Sequence, residues 1–291
     1  MRELKSWYIS GSNGFIGSKL VDQLEQSGRE VIRGDREGTL PRQVDVIVHC
    51  ASYGNYHDQT DVRKIYQANL GILTNLLEAG EHFPYQAFVV IGSSSEYGRQ
   101  SRRMDEDTTV PQPNTVYGAA KLAATSLAQA WARKHEKPIT VLRPFSVTGP
   151  SEQERHLIPT LIKSAVTGAP MTLDPHPSHD YVDVRDVVKA IQILVEQPSI
   201  TGGEVYNCGS GIQYTNRAVS QLVEQETGKK INFTPSTRMR SYDSDVWVAD
   251  NRKLKSLGWT PEYNLRQSIK DMVFMREERP QWTKSPCASG L

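Results

Sequence analysis

The stretch Gly11-Ser12-Asn13-Gly14-Phe15-Ile16-Gly17 constrains the fold more than any other part of the chain. It follows the apolar run Trp7-Tyr8-Ile9 and opens residues 15–27, where Ile16, Leu20, Val21 and Leu24 share one helical face. Between a strand and a helix the three glycines have separate uses. Gly11 permits a tight turn, Gly14 lets the backbone approach a pyrophosphate, and Gly17 lets helix and sheet pack closely. The unpaired N–H groups and positive dipole end of the helix suit the same phosphates. Asn13, Phe15 and Ile16 belong to this turn and are expected to line the dinucleotide with the glycines.

Asp35 lies 18 residues beyond Gly17, just past a second strand-like run at Glu30-Val31-Ile32. A carboxylate there accepts hydrogen bonds from the adenosine ribose and favours NAD. Arg33 and Arg36 flank it, and either can pair with a 2′-phosphate and favour NADP. The expected cofactor is NAD or NADP, with the balance towards NAD.

Further apolar runs at Val44–His49, Ala87–Ile91 and Ile139–Leu142 alternate with helical patterns at residues 61–82 and 115–135. That alternation implies βαβ units. The fold class is α/β, a Rossmann-type doubly wound parallel sheet with a smaller C-terminal α/β substrate lobe. After about residue 150, Pro159, Pro170, Pro175 and Pro177 break the pattern, and helices return at 184–197, 215–227 and 264–277. The division expected is 1–150 for the dinucleotide-binding domain, 151–279 for a substrate lobe discontinuous with the first in space, and 280–291 for a mobile tail.

Charge is nearly balanced, 34 Lys and Arg against 33 Asp and Glu, so neither nucleic acid nor an anionic membrane is an expected partner. No apolar run approaches the roughly 20 residues of a membrane span. The N-terminus lacks the apolar region of a signal peptide. Cys50, Cys208 and Cys287 are an odd set without CxxC spacing, which argues against a disulfide framework or metal site and for a reducing, cytoplasmic compartment.

The chemistry is carried by Ser93, at the end of the run Ile91-Gly92-Ser93-Ser94-Ser95-Glu96-Tyr97-Gly98, and by Tyr117 and Lys121. The carboxyl ends of parallel strands are where ligands sit, which places Ser93 in the crevice. Tyr117 and Lys121 are one helical turn apart on the same face. An ammonium beside a phenol favours the phenolate, and such a tyrosine can exchange a proton with a C–OH as hydride moves to or from nicotinamide. Ser93 would bond the same oxygen. Tyr97, with no lysine at helical spacing, is expected to pack in the turn. Glu96 is either an acid/base group of the pocket or a solvated carboxylate.

Together these motifs resemble the extended short-chain dehydrogenase/reductase family, NAD-dependent epimerases and dehydratases acting on nucleotide sugars. His49-Cys50-Ala51-Ser52 is similar to its H-x-A-A segment, and residues 69–79, from Asn69 to Ala79, to its N-x-x-G-T-x-N-L-L-E-A helix. Arg143-Pro144-Phe145-Ser146-Val147-Thr148-Gly149-Pro150 resembles R-x-x-N-V-Y-G-P, and Asp180-Tyr181-Val182-Asp183-Val184 resembles R-D-F-V-H-V without its arginine. Val205 to Gly211, Leu257-Gly258-Trp259, and the spacing of Arg240, Asp243 and Asp250 complete the likeness, which runs from about residue 7 to residue 275.

The resemblance implies a catalytic Ser93, Tyr117 and Lys121. It adds Cys50, Ala51, Ser52, Asn69 and Pro144 to the cofactor contacts, with Tyr117 and Lys121 serving there too. On the substrate side it implies Tyr53, Ser94, Ser95, Glu96, Ser146, His179 and Arg240, the last pairing with a diphosphate. It also implies a homodimer through a four-helix bundle of the helices at 61–82 and 115–135. Three departures stand out. His179 replaces the family's arginine, Ser146 replaces its substrate-contacting asparagine, and only eight residues separate Asp35 from Val44, leaving little room for the usual third strand. That short opening resembles the nucleotide-activated 4-keto-6-deoxyhexose reductases. A 4,6-dehydratase uses Asp-Glu where Ser94 and Ser95 stand, so dehydration is disfavoured unless Glu96 serves. The reading is reduction of a 4-keto-6-deoxyhexose, the alternative 4-epimerisation with tightly held NAD. A non-catalytic nucleotide-binding module is a further reading, opposed by the presence of Tyr117 and Lys121.

Overall fold

The computed structural model describes residues 4–56, 58–236 and 244–278. The first half of the chain supplies β1 (Ser6–Ser10), α1 (Phe15–Gln26), β2 (Glu30–Arg33), β3 (Val46–His49), α2 (Val62–Tyr66), α3 (Ile72–His82), β4 (Ala87–Ile91), α4 (Val116–His135), β5 (Ile139–Pro144) and β6 (Ser146–Thr148). The second half supplies α5 (Leu157–Thr167), β7 (Met171–Leu173), β8 (Ser178–Asp183), α6 (Val184–Glu196), α7 (Pro198–Thr201), β9 (Val205–Cys208), β10 (Gln213–Thr215), α8 (Asn216–Thr227), β11 (Phe233–Pro235), α9 (Arg252–Ser256) and α10 (Leu265–Glu278).

β3, β4 and β5 are buried at every residue, which is why they read as unbroken apolar runs. Successive residues face opposite layers. Trp7, Ile9, Val46, Val48 and Val89 pack on Leu20, Val21 and Leu24 of α1 and on Val187, Val188 and Ile191 of α6. Tyr8, Ile47, Phe88 and Val90 pack on Leu73, Leu76 and Leu77 of α3 and on Ala124 and Ala128 of α4. The six-stranded sheet has the order β2-β1-β3-β4-β5-β9, and every pair in it is parallel. Strand order reverses between β1 and β3, so the crevice lies above their carboxyl ends.

The chain crosses the boundary at residue 150 in both directions. β6 ends before that point yet joins β8 and β10 in a separate three-stranded sheet. β9 and α6 come after it yet complete the large sheet's edge and one of its faces. The physical reason is the apolar stripe of α6, Val187, Val188, Ile191, Leu194 and Val195, which requires a sheet face to cover. The smaller lobe has its own core of Ile158, Leu161, Ile162, Val219, Val223, Ile269 and Met272 from α5, α8 and α10. The helical stretch from α2 to α3 is interrupted by a π-helical turn at Gln67–Gly71, which the sequence pattern does not signal. The tail at 280–291 lies outside the described residues. Among the described residues no helix is long and apolar enough to cross a membrane.

Candidate active site

The glycine turn is built as its spacing predicts. Gly11 has φ +68°, and a Cβ there would sit 2.5 Å from the Ala51 nitrogen. One on Gly17 would sit 2.2 Å from the Gly11 carbonyl oxygen. α1 starts at Gly14 with no side-chain cap and no acidic residue in its first turn. Among the described residues no side chain caps its first N–H groups, an arrangement that suits an anion. Asn13 and Gly14 are exposed, and Phe15 and Ile16 are half-buried beside them.

Asp35 follows β2 and is exposed. Its Oδ1 accepts the backbone N–H groups of Gly38 (2.7 Å), Thr39 (2.9 Å) and Glu37 (3.1 Å). These bonds, that of Thr39 foremost, hold the carboxyl below its usual range, so it is an ionised acceptor at neutral pH. Of the two flanking arginines, Arg33 is engaged with Glu25 at 2.8 Å. Arg36, the residue after the carboxylate, is exposed. The open N-terminus of α1, with Asp35 and Arg36 beyond it, fits a dinucleotide.

At the end of β3, His49 Nδ1 and Ser10 Oγ are hydrogen-bonded at 2.8 Å, tying β3 to β1. Burial, with the Lys121 ammonium adding to it, pushes His49 down to about 3, so the ring is neutral. Burial pushes the Cys50 thiol up to about 12, against the pull of the Lys121 ammonium, which leaves it unreactive. Asn69, expected among the cofactor contacts, spends its amide inside the protein. It accepts from Ser52 Oγ (3.0 Å) and donates to the carbonyls of Tyr53 (2.7 Å) and Ile65 (2.8 Å). It sits on the π-helical turn, a feature that recurs at functional sites. Asn69 thus holds Ser52 and Tyr53 in place from behind.

Ser93 ends the β4 segment and caps the short 3₁₀ turn Ser94–Glu96. Its Oγ accepts the Ser95 N–H at 3.1 Å, which leaves the hydroxyl proton for another acceptor. α4 begins one residue before Tyr117, with Thr115 Oγ1 capping the Gly118 N–H at 3.0 Å. At Gly118 a Cβ would lie 2.4 Å from the Ser95 carbonyl oxygen, so only glycine lets α4 pack this closely on the serine turn. Lys121, 2% exposed, donates from Nζ to the Ile91 carbonyl at 2.6 Å. Tyr117 is half-buried, its ring close to the backbone of Gly54. Strand end, 3₁₀ turn and helix start thereby pack side by side, Gly118 against the Ser95 carbonyl and Lys121 against that of Ile91.

Glu96 is neither of the things expected of it. It is fully buried, its Oε2 accepts from Arg143 Nη2 (2.7 Å) and Nε (3.1 Å), and its Oε1 accepts the Ser93 N–H (2.8 Å). Both oxygens are turned away from solvent because a buried guanidinium needs a counter-ion. Tyr97 packs as expected, with Arg143 4.5 Å from its ring centre and its hydroxyl donating to Asn207 Oδ1 at 2.9 Å.

On the substrate side, Ser146 Oγ and His179 Nδ1 are 3.3 Å apart, and the His179 ring lies 6.4 Å from that of Trp247. Trp247 Nε1 in turn donates to Ser94 Oγ at 3.2 Å. Trp247 belongs to none of the sequence motifs; its only local signal is a tryptophan between Val246 and Val248. Pro144 ends β5, paired with Cys208. Arg240 and Asp243 lie outside the described residues. Among the described residues no cluster of three His, Cys, Asp or Glu side chains could hold a metal ion.

The family model described as "NAD dependent epimerase/dehydratase family" matches residues 38–209. The UDP-glucose 4-epimerase of Lactobacillus helveticus is 27% identical over 91% of this chain and 94% of its own length. The GDP-6-deoxy-D-mannose reductase of Pseudomonas aeruginosa is 25% identical over 94% and 97%. Among solved structures, MoeE5 in complex with UDP-glucose and NAD superposes with a TM-score of 0.86 at 28% identity, covering 94% of this chain and 99% of that one.

Proposed function

The chain belongs to the NAD-dependent epimerase/dehydratase family, and we propose that it reduces the 4-keto group of a nucleotide-linked 6-deoxyhexose. One observation carries this reading. The large sheet stops at β2 on the adenosine side, and no helix or strand lies between Arg33 and Val46. On its adenosine side the dinucleotide is then gripped by little more than the glycine turn, Asp35 and Arg36, which suits a cofactor that exchanges each turnover, as a reductase requires. When bound, it supplies the hydride.

The protein's own part is positioning and proton transfer. Tyr117 gives its phenolic proton to the carbonyl oxygen at carbon 4 as that carbon is reduced. Lys121, fixed to the strand-end carbonyl of Ile91, lends its positive charge to the phenolate that remains. Ser93 donates to the same oxygen, because that oxygen can only accept and the Ser93 hydroxyl, while accepting the Ser95 N–H, keeps its own proton to give. Dehydration has little support: Ser94 and Ser95 offer hydroxyls where carboxyls are required, and Glu96 is sealed against Arg143. Ser94, Ser146, His179 and Trp247 are assigned to the sugar side, and Tyr53 and Arg240 are assigned to the substrate by resemblance, Arg240 to its diphosphate.

A second reading, 4-epimerisation, is favoured by Asp35 as an ionised ribose acceptor and by the relative named for UDP-glucose 4-epimerase. Analysis of nucleotide released from freshly purified, denatured protein separates the two. An empty site that binds NADPH or NADH reversibly supports the reductase; stoichiometric NAD carried through purification supports the epimerase. Turnover is then assayed on UDP-glucose, UDP-glucuronic acid, and the dTDP- and GDP-linked 4-keto-6-deoxyhexoses. We also propose a homodimer through α2, α3 and α4, supported by exposed Val62 and Tyr66 on α2 and Val116 on α4. A sedimentation result showing a monomer at micromolar concentration counts against it.

A further inference from the structure

We infer that the buried Glu96–Arg143 pair is a positioning device that sets the orientation of Ser93 for its hydrogen bond to the reacting oxygen. This rests on the reading of Ser93 given above. Ser93 is held at two points. Its N–H donates to Glu96 Oε1 at 2.8 Å, and its Oγ accepts the Ser95 N–H at 3.1 Å, a reciprocal capping box on a turn of only three residues. A turn this short has no helical ladder to keep its shape, so the carboxylate does that work. The carboxylate passes directly over the strand end, where a Cβ on Gly92 would sit 2.7 Å from Oε1.

Glu96 is itself fixed from β5. Arg143 grips Oε2 through Nε and Nη2, and the side chains of the two residues are 3% and 0% exposed. The far side of the guanidinium lies on the Tyr97 ring, 4.5 Å from its centre. Tyr97 donates to Asn207 on β9, and the Asn207 N–H and Nδ2 donate to Glu106 at 2.9 and 3.0 Å. A chain of contacts thus runs from the serine amide through two strands of the large sheet. Neither Glu96 nor Arg143 is placed to touch substrate, so both act through Ser93.

Removing one partner alone would strand a buried charge and could prevent folding, so both are replaced at once. Two double variants are compared, Glu96→Leu with Arg143→Met, and Glu96→Gln with Arg143→Met. Only glutamine keeps an acceptor for the Ser93 amide. With the nucleotide sugar turned over in the panel above, the leucine version is expected to lower kcat by about tenfold or more with KM within about twofold, and the glutamine version to recover most of it. On a Ser93→Ala background the leucine change should alter kcat by less than about twofold. Losses that simply multiply overturn the inference while leaving Ser93 in its role. An unchanged kcat in Ser93→Ala alone removes Ser93 from that role, and the inference falls with it. Hydrogen exchange tests the geometry without any substrate. The Ser93 amide should lose protection in the leucine version, while the Gly92 amide, bonded to the Leu142 carbonyl at 2.7 Å, should keep it. Retained protection at Ser93 overturns the inference.

Discussion

At the cofactor end of the crevice the protein presents mostly backbone: the turn at Gly11, the uncapped start of α1, and a carboxylate shaped by three backbone N–H groups. At the proposed substrate end stand side chains from four segments far apart in the chain, Ser94, Ser146, His179 and Trp247, in contact with one another. The difference teaches how each end tolerates change. A backbone-built site depends on a few residues that must be small, and it is indifferent to most others. A site built from side chains can be altered one residue at a time, which suits a scaffold whose relatives are named for different sugars.

The largest effect should come where the two ends meet. Tyr117→Phe is expected to lower kcat by roughly 10²–10⁴, with cofactor affinity by fluorescence titration unchanged. Loss of cofactor binding in that variant would erase the distinction between the ends. At the backbone end, Gly17→Val drives a branched side chain into the Gly11 carbonyl and should weaken cofactor binding about 100-fold, close to 2.7 kcal/mol.

Proton linkage sharpens the contrast. His49, at the cofactor end, is held down to about 3 by burial and titrates near 6.5 when unfolded. The unfolded chain therefore binds the extra proton between those values, and stability falls as pH drops from 6.5 towards 3. Asp180, beneath the substrate end, is pushed up to about 6 by burial, despite hydrogen bonds from Ser210, Gly211 and Ala249. There the folded chain binds the extra proton, and stability falls as pH rises from 3.8 to 6. Each group contributes at most about 1.4 kcal/mol per pH unit within its window. Urea unfolding at pH 4.5 and 6.5 should show His49→Asn with a shallower acid loss than the parent, and Asp180→Asn with a steeper one.

Smaller effects probe the ends separately. Trp247→Phe removes the donor to Ser94 and should raise KM by about 5–10-fold, in line with one hydrogen bond of roughly 1 kcal/mol, leaving kcat and cofactor affinity as they were. Arg36→Ala, at an exposed position, should shift the NADPH-to-NADH affinity ratio by about threefold at most.

The same contrast explains what could be read in the sequence. The central strands and the helices at 15–27 and 115–135 were legible because periodicity and glycine spacing are local properties. So was the placing of Tyr117 and Lys121 one turn apart on α4. Glu96 was not legible, because its role depends on Arg143, 47 positions away and on another strand. Trp247 gave no local signal of its meeting with Ser94, 153 positions earlier. The return of β9 and α6 to the large sheet was hidden for the same reason: nothing within those segments says which sheet they will cover.

That return has a consequence for anyone cutting the gene. A fragment ending at residue 150 would leave β5 as a bare edge, with Val141, Leu142, Arg143 and Pro144 deprived of their pairing with Val205, Tyr206, Asn207 and Cys208. It would also uncover the sheet face that Val187, Val188 and Ile191 shield. Such a piece is a template for strand-to-strand aggregation. The two lobes are separable in the eye and inseparable at the bench, and co-expression of both halves, not either alone, is the way to recover soluble protein from a split chain.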